Sequence, residues 1–172
     1  DLLQLLADEY ERGEAFLVDL FNAERTVNAA LAALEPELEG ARAGRPRDAS
    51  VVVGVIAPNV QDMGKRLLAI MLRANGFDVV DLGANVPIER FSEAAAEHRA
   101  DAVAVSVMTN EGLPQLGRLA ASIRGDVRLA RVLLLCGGAA MTPAIAEELG
   151  LPYGRGASDA VALVRRHLAV RG

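Results

Sequence analysis

The sequence contains almost no cysteine and few aromatic residues. Its 172 residues include one cysteine, Cys136, no tryptophan and only 3% aromatic residues. One cysteine excludes a disulfide bond within the chain and is typical of a reducing compartment. The few rings leave little surface for base stacking, and the net charge of −5 repels a polyanion. The composition therefore argues against nucleic acid as a partner and predicts a cytoplasmic protein.

Long hydrophobic runs are also missing. No apolar stretch approaches the roughly 20 residues that a membrane-spanning helix needs, and no segment resembles a signal peptide. The sequence starts at Asp1, without methionine and inside a leucine-rich helical pattern, so we expect further residues to precede it. Hydrophobic residues make up 52% of the chain, which is enough apolar material for a packed core.

Sequence patterns typical of catalysis are absent as well. The two histidines, His98 and His167, stand in charged helical contexts, where we expect solvent-exposed side chains. The sequence has no Ser–His–Asp pattern, no cluster with metal-ligand spacing and no phosphate-binding loop of the Gly-Lys-Ser type. A chain that catalyses a reaction with its own side chains is therefore the least supported class.

Three segments differ in their residue pattern. Residues 1–38 predict two helices, in which Phe16 and Phe21 are core residues on the simplest interpretation. The second helix has an apolar stripe along one face, so it needs further helices, a partner chain or the following domain to cover it. Residues 39–50 are rich in Gly and Arg, without periodicity, and predict a linker. Residues 51–172 predict a separate α/β domain.

Strands and helices alternate from residue 51 onwards. The apolar runs predict five strands, at Val51–Ile56, Phe77–Leu82, Ala102–Val107, Arg131–Cys136 and Leu151–Tyr153. Helices are predicted at Gly64–Ala74, Ile88–Arg99, Pro114–Arg124, from near Thr142 to Leu149, and at Ser158–Leu168. Asn75-Gly76 predicts a helix stop and Ser158 a helix N-cap. Continuous apolar strands indicate a sheet covered on both faces. We therefore predict a flavodoxin-like (Rossmann-like), doubly wound five-stranded parallel sheet.

The loops that follow the strands predict a binding site. In a doubly wound sheet the order reverses between the first and third strands, so loops 57–64 and 107–113 diverge and leave a crevice. Gly137-Gly138 follows the fourth strand and allows a ligand or a backbone segment to approach closely. The helix that begins near Thr142 offers N–H groups to an anion. This spacing predicts a flat or elongated ligand at the carboxyl edge of the sheet and does not name it.

The loop Asn59–Lys65 resembles the Asp-x-His-x-x-Gly loop of cobalamin-binding domains. These domains occur in methionine synthases, corrinoid methyl-carrier proteins, base-off mutases and cobalamin photoreceptors. Further segments resemble, in order, the family's second strand, third strand, Gly-Gly motif, and last strand and helix: Ala74–Gly83, Val105-Ser106, Gly137–Ala139, Tyr153-Gly154 and Asp159-Ala160. Residues 13–21 resemble the last helices of the four-helix cap that covers the corrin in methyl carriers. The resemblance spans nearly the whole chain and implies that residues 1–38 form a partial helical-bundle cap.

One departure from the family concerns the metal ligand. In the family, the His of this loop coordinates cobalt from below, and the preceding Asp bonds to that His. Here these positions hold Gln61 and Asn59. A neutral carboxamide is a poor cobalt ligand compared with imidazole, and Asn lacks the charge that orients such a ring. The resemblance therefore implies cobalamin bound base-off without a His lower ligand, with Gln61 the one doubtful metal candidate.

The resemblance implies a cofactor-binding set drawn from the loops, the glycine pair, the last strand and the cap. It comprises Asn59, Val60, Gln61, Asp62, Met63, Gly64, Ser106, Met108, Thr109, Asn110, Gly137, Gly138, Tyr153, Gly154, Phe16 and Phe21. The residues alone leave simpler roles open: a strand-end hydroxyl for Ser106, a tight turn for Gly137-Gly138 and core packing for the methionines. Cys136 is predicted to pack in the core, and Lys65 to lie on the surface at a helix start.

The leading functional hypothesis is a cobalamin-binding methyl-carrier subunit of a corrinoid-dependent methyltransferase system. Its implied partners are methyltransferase or activating proteins, with a homo-oligomer formed through the cap as a further option and no membrane or nucleic acid. The alternative is a cobalamin-sensing regulatory or interaction domain, or a degenerate domain that no longer binds cobalamin. An upstream DNA-binding module would favour the sensor, and two further cap helices would favour the carrier.

Overall fold

The computed structural model describes residues 49–170 and four helical residues of the amino-terminal segment, Thr26, Ala29, Ala30 and Ala33. The chain divides into two compact units, Asp1–Ala41 and Arg42–Gly172. Phe16 and Phe21 lie outside the described residues, as does most of the predicted linker. The limits of the three predicted segments therefore stay predictions.

Residues 49–170 build a sheet of four parallel strands. They are β1 (Ser50–Val55), β2 (Asp78–Asp81), β3 (Ala102–Ser106) and β4 (Leu133–Gly137), in the order β2-β1-β3-β4. Val53 of β1 pairs with Asp81 on one side and with Ala104 on the other. The order reverses between β1 and β3, as predicted for a doubly wound sheet, and their carboxyl ends lie side by side.

The predicted fifth strand is reduced to a single bridge in the described sheet. Tyr153 forms an isolated parallel bridge with Cys136. Two backbone hydrogen bonds hold it: Cys136 N–H donates to Pro152 O (3.0 Å) and Gly154 N–H donates to Cys136 O (2.9 Å). Pro152 has no N–H to extend the ladder, which limits the pairing to this point.

Five α-helices and a short 3₁₀ helix connect the strands or follow them. The α-helices are α1 (Met63–Ala74), α2 (Ile88–Glu97), α3 (Gly112–Gly125), α4 (Pro143–Leu149) and α5 (Ala157–Ala169), and the 3₁₀ helix is Val127–Leu129. Asn75 is the C-cap of α1 and Gly76 has φ +93°, so the predicted Asn-Gly stop is confirmed. The predicted N-cap Ser158 is wrong: the N-cap of α5 is Gly156, and Ser158 lies inside the first turn.

Two apolar layers cover the sheet, one on each face. Val52 of β1 packs with Phe91 of α2 and Leu116 of α3. Val51 and Val53 face the opposite way, toward α1 and α5. All three valines are fully buried, which explains why the strand sequence is continuously apolar rather than alternating.

Two further findings concern Cys136 and the helix lengths. Cys136 is buried in the layer under α2 and α3, as predicted, and burial raises the pKa of its thiol to about 11. Within the part of the chain that the structure describes, the search for a helix long and apolar enough to cross a membrane gave none.

Candidate functional site

The carboxyl ends of β1, β3 and β4 are tied together by backbone hydrogen bonds. Ile56 N–H donates to Ser106 O (3.0 Å), and Val107 N–H donates to Gly137 O (2.8 Å). On the other side of β1, Ala57 N–H donates to Val86 O (3.0 Å). The predicted loops therefore leave from neighbouring points on one edge, and the structure brings the predicted residues of the α/β domain to that edge.

An internal hydrogen bond fixes the tip of the 57–62 loop, which joins β1 to α1. Gln61 N–H donates to Asn59 Oδ1 over 2.6 Å. The amide oxygen of Asn59 therefore positions the backbone of Gln61 and not its carboxamide. Val60 is 80% exposed, and Gln61 is exposed as well. The tip of the loop thus presents side chains to solvent on a backbone that is held in place.

Asp62 and Lys65 join the foot of this loop to the sheet. Lys65 is only 4% exposed, so its predicted position on the surface is wrong. Its Nζ lies 2.7 Å from both carboxylate oxygens of Asp81, at the end of β2, and 3.4 Å from Asp62 Oδ2. A buried ammonium needs such partners, because an unpaired charge in the interior is strongly destabilising. The sequence signal for this pair was an acidic residue, Asp81, directly after the two valines of β2.

The loop after β3 has its own polar contacts. Ser106 Oγ donates to the Met108 thioether sulfur over 3.4 Å. In the same loop, the Glu111 carboxyl accepts hydrogen bonds from the Glu111 backbone N–H and from the Thr109 hydroxyl, and both lower its pKa. Asn110 is exposed. Ser106 and Met108 are half-buried, and their side chains meet beside the root of the 57–62 loop.

Three glycines, which we call the glycine cluster (Gly137, Gly138 and Gly154), close the other side of the edge. A Cβ on Gly137 would lie 2.8 Å from Gly154 O. Gly138 has φ +108°, and a Cβ there would lie 2.7 Å from Val107 N. These contacts show that Gly137 and Gly138 allow backbone segments to approach closely, and their predicted part in cofactor binding stays a prediction. Tyr153, beside the cluster, donates its hydroxyl to Met141 O over 3.3 Å.

The start of α1, in contrast, is open. A Cβ on Gly64 would meet nothing within 4 Å. The first turn of α4 offers fewer N–H groups than the sequence suggested, because Pro143 has none. The Thr142 side chain already accepts a hydrogen bond from Ile145 N–H (3.2 Å), and α4 has only seven residues.

A cavity of about 220 Å³ lies beside the 57–62 loop, and the sequence did not indicate it. It is lined by the end of β1 (Ile56–Pro58), the start of α2 (Val86–Glu89) and Gln115 of α3. Its lining residues are separated by up to 59 positions in the chain, so no local pattern could have identified it.

Neither of the two histidines is part of the loops that meet at this edge. His98 is exposed, as predicted. His167 is half-buried rather than solvated, with a ring nitrogen 3.2 Å from Arg131 O, ahead of the amino end of β4. Among the described residues, no group of three or more His, Cys, Asp or Glu side chains could hold a metal ion.

Comparisons with known proteins identify the family to which the α/β domain belongs. The B12 binding domain matches residues 49–164. The chain is 34% identical, over 165 residues, to the trimethylamine corrinoid protein 2 of Methanosarcina acetivorans, which covers 92% of this chain and 74% of that protein.

Two solved structures share the fold. The monomethylamine corrinoid protein of Methanosarcina barkeri is similar with a TM-score of 0.77 and 27% identity, over 98% of this chain and 78% of that one. The methanol:cobalamin methyltransferase complex MtaBC of the same organism is similar with a TM-score of 0.67 and 25% identity, over 97% of this chain and 63% of that one. With a family match over residues 49–164 and relatives that align along almost its whole length, this chain belongs to the B12-binding domain family.

Proposed function

We propose that this chain binds a cobalamin-class corrinoid and serves as the methyl-carrier subunit of a corrinoid-dependent methyltransferase system. The observation that carries the proposal is the carboxyl edge of β1 and β3, where a held polar loop and an open helix start face a closed glycine cluster. The names of the relatives support it, since they are corrinoid proteins for trimethylamine and monomethylamine. When bound, the corrin cobalt supplies the centre that accepts and gives up the methyl group.

The described residues fit such a ligand in their chemistry. The open space at Gly64 lets a large group approach the first turn of α1, since no other atom lies within 4 Å of a Cβ built there. Asn59, Gln61 and Asn110 offer neutral polar groups to the amide side chains of a corrin, and Ser106 adds a hydroxyl. These residues bind and orient the ligand, whereas the glycine cluster keeps the strands and the last bridge in register.

We propose further that the lower face of the cobalt receives no side-chain ligand from the 57–62 loop. Asn59 Oδ1 is bonded to the Gln61 backbone, so it is not available to orient a ligating side chain. The Gln61 carboxamide is a neutral oxygen and nitrogen donor that competes poorly with water for cobalt. The corrinoid would then be bound base-off without a His lower ligand, and Gln61 stays a doubtful candidate for a metal contact.

The remaining parts of the proposal concern residues and partners beyond the described domain. Residues 1–38, with Phe16 and Phe21, would form a partial helical cap over the corrin, and Leu151–Tyr153 would stand in the position of a fifth strand. The partners would be a methyltransferase and activating proteins, in line with the methyltransferase complex named among the relatives. Assembly through the cap, a cytoplasmic location and the absence of nucleic-acid or membrane partners complete the proposal.

One observation favours a second candidate. The missing loop histidine would suit a sensor or interaction domain on the same fold, or a domain that has lost the cofactor. Val60 and Gln61 are exposed, so neither side chain is part of the core that such a domain would have to keep.

An absorption experiment separates these candidates. The chain is mixed with hydroxocobalamin or methylcobalamin, free ligand is removed by gel filtration, and the spectrum is recorded for the wild type, Gln61→Ala and the exposed control Glu147→Ala. We expect a stoichiometric base-off spectrum that is the same in all three proteins. A base-on spectrum that Gln61→Ala abolishes would contradict the ligand-free lower face. Colourless protein with both cobalamins would overturn the carrier proposal and leave the second candidate.

A further inference from the structure

Lys65 is a buried charged residue that has no role in the proposed function. Of the charged side chains that the structure describes, it is the one that is buried, with 4% exposure. It is the third residue of α1, directly after the open position Gly64. A charge at such a position has a desolvation penalty that an apolar side chain would avoid, so its presence calls for a role other than packing.

The contacts of Lys65 complete a closed path of backbone and hydrogen bonds that includes the 57–62 loop. Lys65 Nζ binds both oxygens of Asp81 at 2.7 Å. Asp81 Oδ1 also accepts from Gly83 N–H (2.8 Å), and Gly83 O accepts from Val55 N–H (2.9 Å). Val55 is the last residue of β1, so the path runs from β1 through the loop to α1 and returns through Asp81 and Gly83.

A second contact acts at the foot of the loop itself. Asp62 Oδ2 lies 3.4 Å from Lys65 Nζ, and Asp62 O accepts the first helical hydrogen bond, from Arg66 N–H (2.8 Å). The ammonium therefore bridges the last loop residue and the end of β2. An apolar side chain would fill the same space but would not tie Asp62 to the end of β2, because it cannot bind the two carboxylates.

We infer that Lys65 is a positioning residue: through Asp81 and Asp62, it holds the 57–62 loop in the geometry in which Asn59 and Gln61 meet the corrinoid. The inference rests on the proposed function in one respect, that this loop contacts the ligand. The ion pair acts before any ligand is present, because all its contacts lie within the protein. It therefore predicts an effect on the cobalamin-free protein as well as on binding.

The first test is amide hydrogen exchange of the cobalamin-free protein. In Lys65→Met, the amides of residues 59–62 should exchange about tenfold faster than in the wild type, while the amides of β1 and β3 keep their protection. Cobalamin affinity, measured by absorption titration, should fall by about 10- to 100-fold, as for other residues that orient a binding group from behind. Lys65→Arg, which keeps the charge, should restore both quantities at least in part.

Two further variants separate positioning from stability. Asp81→Asn keeps an oxygen for Gly83 N–H but loses the charge, so it should loosen the loop in the same way as Lys65→Met. The double variant Lys65→Met with Asp81→Asn leaves no unpaired buried charge, so it keeps the fold while the loop remains untied. Arg128→Met is the matched control, since its ion pair with Asp126 is as short (2.6 Å) but exposed and lies after α3.

The outcomes decide the inference. A double variant with a fast-exchanging loop, weak binding and an intact fold supports it. A double variant with wild-type exchange at residues 59–62 and wild-type affinity would overturn it, because the pair would then serve stability alone. If the wild type fails to bind cobalamin, the proposed function fails, and exchange at residues 59–62 still decides whether Lys65 positions the loop.

Discussion

The two sides of the carboxyl edge are built by different means. On one side, the glycine cluster brings backbone against backbone, with the position of a Gly137 Cβ only 2.8 Å from Gly154 O. On the other side, the 57–62 loop is held by side chains, Asn59 at its tip and Lys65 at its foot. The cluster tolerates no added atom, whereas the loop tip carries exposed side chains that can change.

This difference separates positions at the edge that can change from positions that cannot. A substitution at Gln61 alters an exposed carboxamide and no buried contact. A substitution at Gly138 would force a side chain into the backbone of Val107. The residues that shape the edge are therefore separate from those that we propose to contact the ligand, and each set can be tested without the other.

Gly138→Ala should have the largest effect. The alanine would have to adopt φ +108° with its Cβ against Val107, so we expect a loss of about 3 kcal/mol in the free energy of unfolding. Urea denaturation measures it. Gly125→Ala, at the end of α3 with nothing within 4 Å, is the control and should change stability by less than about 1 kcal/mol. Equal losses in the two variants would contradict the tight contact at Gly138.

The thiol of Cys136 reports whether the glycine side stays closed. Burial raises the pKa of Cys136 from its ordinary value of 9.0 to about 11, so the thiolate fraction at pH 8 should be about 100-fold lower than that of an exposed thiol. Reaction with an aromatic disulfide reagent should therefore be slow in the native protein and fast in urea.

The raised pKa of Cys136 also predicts a pH dependence of stability. The folded state holds this proton more tightly than the unfolded state, so this contribution to the free energy of unfolding declines as the pH rises from 9.0 toward about 11. Cys136→Ala removes the dependence. In the labelling experiment described above, rapid reaction of the native Cys136 thiol at pH 8 would show that the glycine side of the edge is open.

The pair Asn59→Asp with Gln61→His should give the loop the chemistry that it lacks. An imidazole on the exposed loop tip would supply a lower ligand, and we expect a changed cobalamin spectrum and about tenfold tighter binding. Protonation of the imidazole, with an ordinary pKa of about 6.5, should reverse the spectral change at lower pH. Gln61→Asn is the control without an imidazole. An unchanged spectrum in the double variant would mean that the loop tip does not reach the cobalt.

Thr109→Val should have the smallest effect. The Glu111 carboxylate accepts hydrogen bonds from the Glu111 backbone N–H and from the Thr109 hydroxyl, and both lower its pKa. The stability that this carboxylate contributes is therefore present above pH 4.5 and is lost as the pH falls through the lowered pKa. Valine removes the hydroxyl, and the pKa should rise toward the ordinary value. An NMR titration of the Glu111 carboxyl carbon measures it. Thr109→Ser keeps the hydroxyl and should keep the lowered pKa.

Much of the fold could be predicted because its signals are local. Continuous apolar runs bounded by polar loops predicted the strands, and the Asn75-Gly76 pair predicted the end of α1. The helix N-cap at Ser158 was predicted wrongly, because Gly156 reaches that position through the backbone alone and leaves no side-chain signal. The predicted strand at Leu151–Tyr153 shortened to a bridge where Pro152 lacks the N–H that a longer ladder needs.

The sequence by itself determined the parallel doubly wound order and the loops that meet at one edge, and it led to the prediction of a loop with Gln61 in the place of the family's histidine. These follow from residue type and local pattern. Only the tertiary structure decided that Lys65 is buried, that the glycine cluster joins backbone segments, and that Asn59 bonds the Gln61 backbone. The physical reason is distance along the chain for the first two: Asp81 lies 16 residues after Lys65, and Gly154 lies 17 residues after Gly137, so each pair meets only once the strands are assembled. The bond between Asn59 and the Gln61 backbone spans only two residues, but it forms only where the loop turns back on itself, which the residue types alone do not specify.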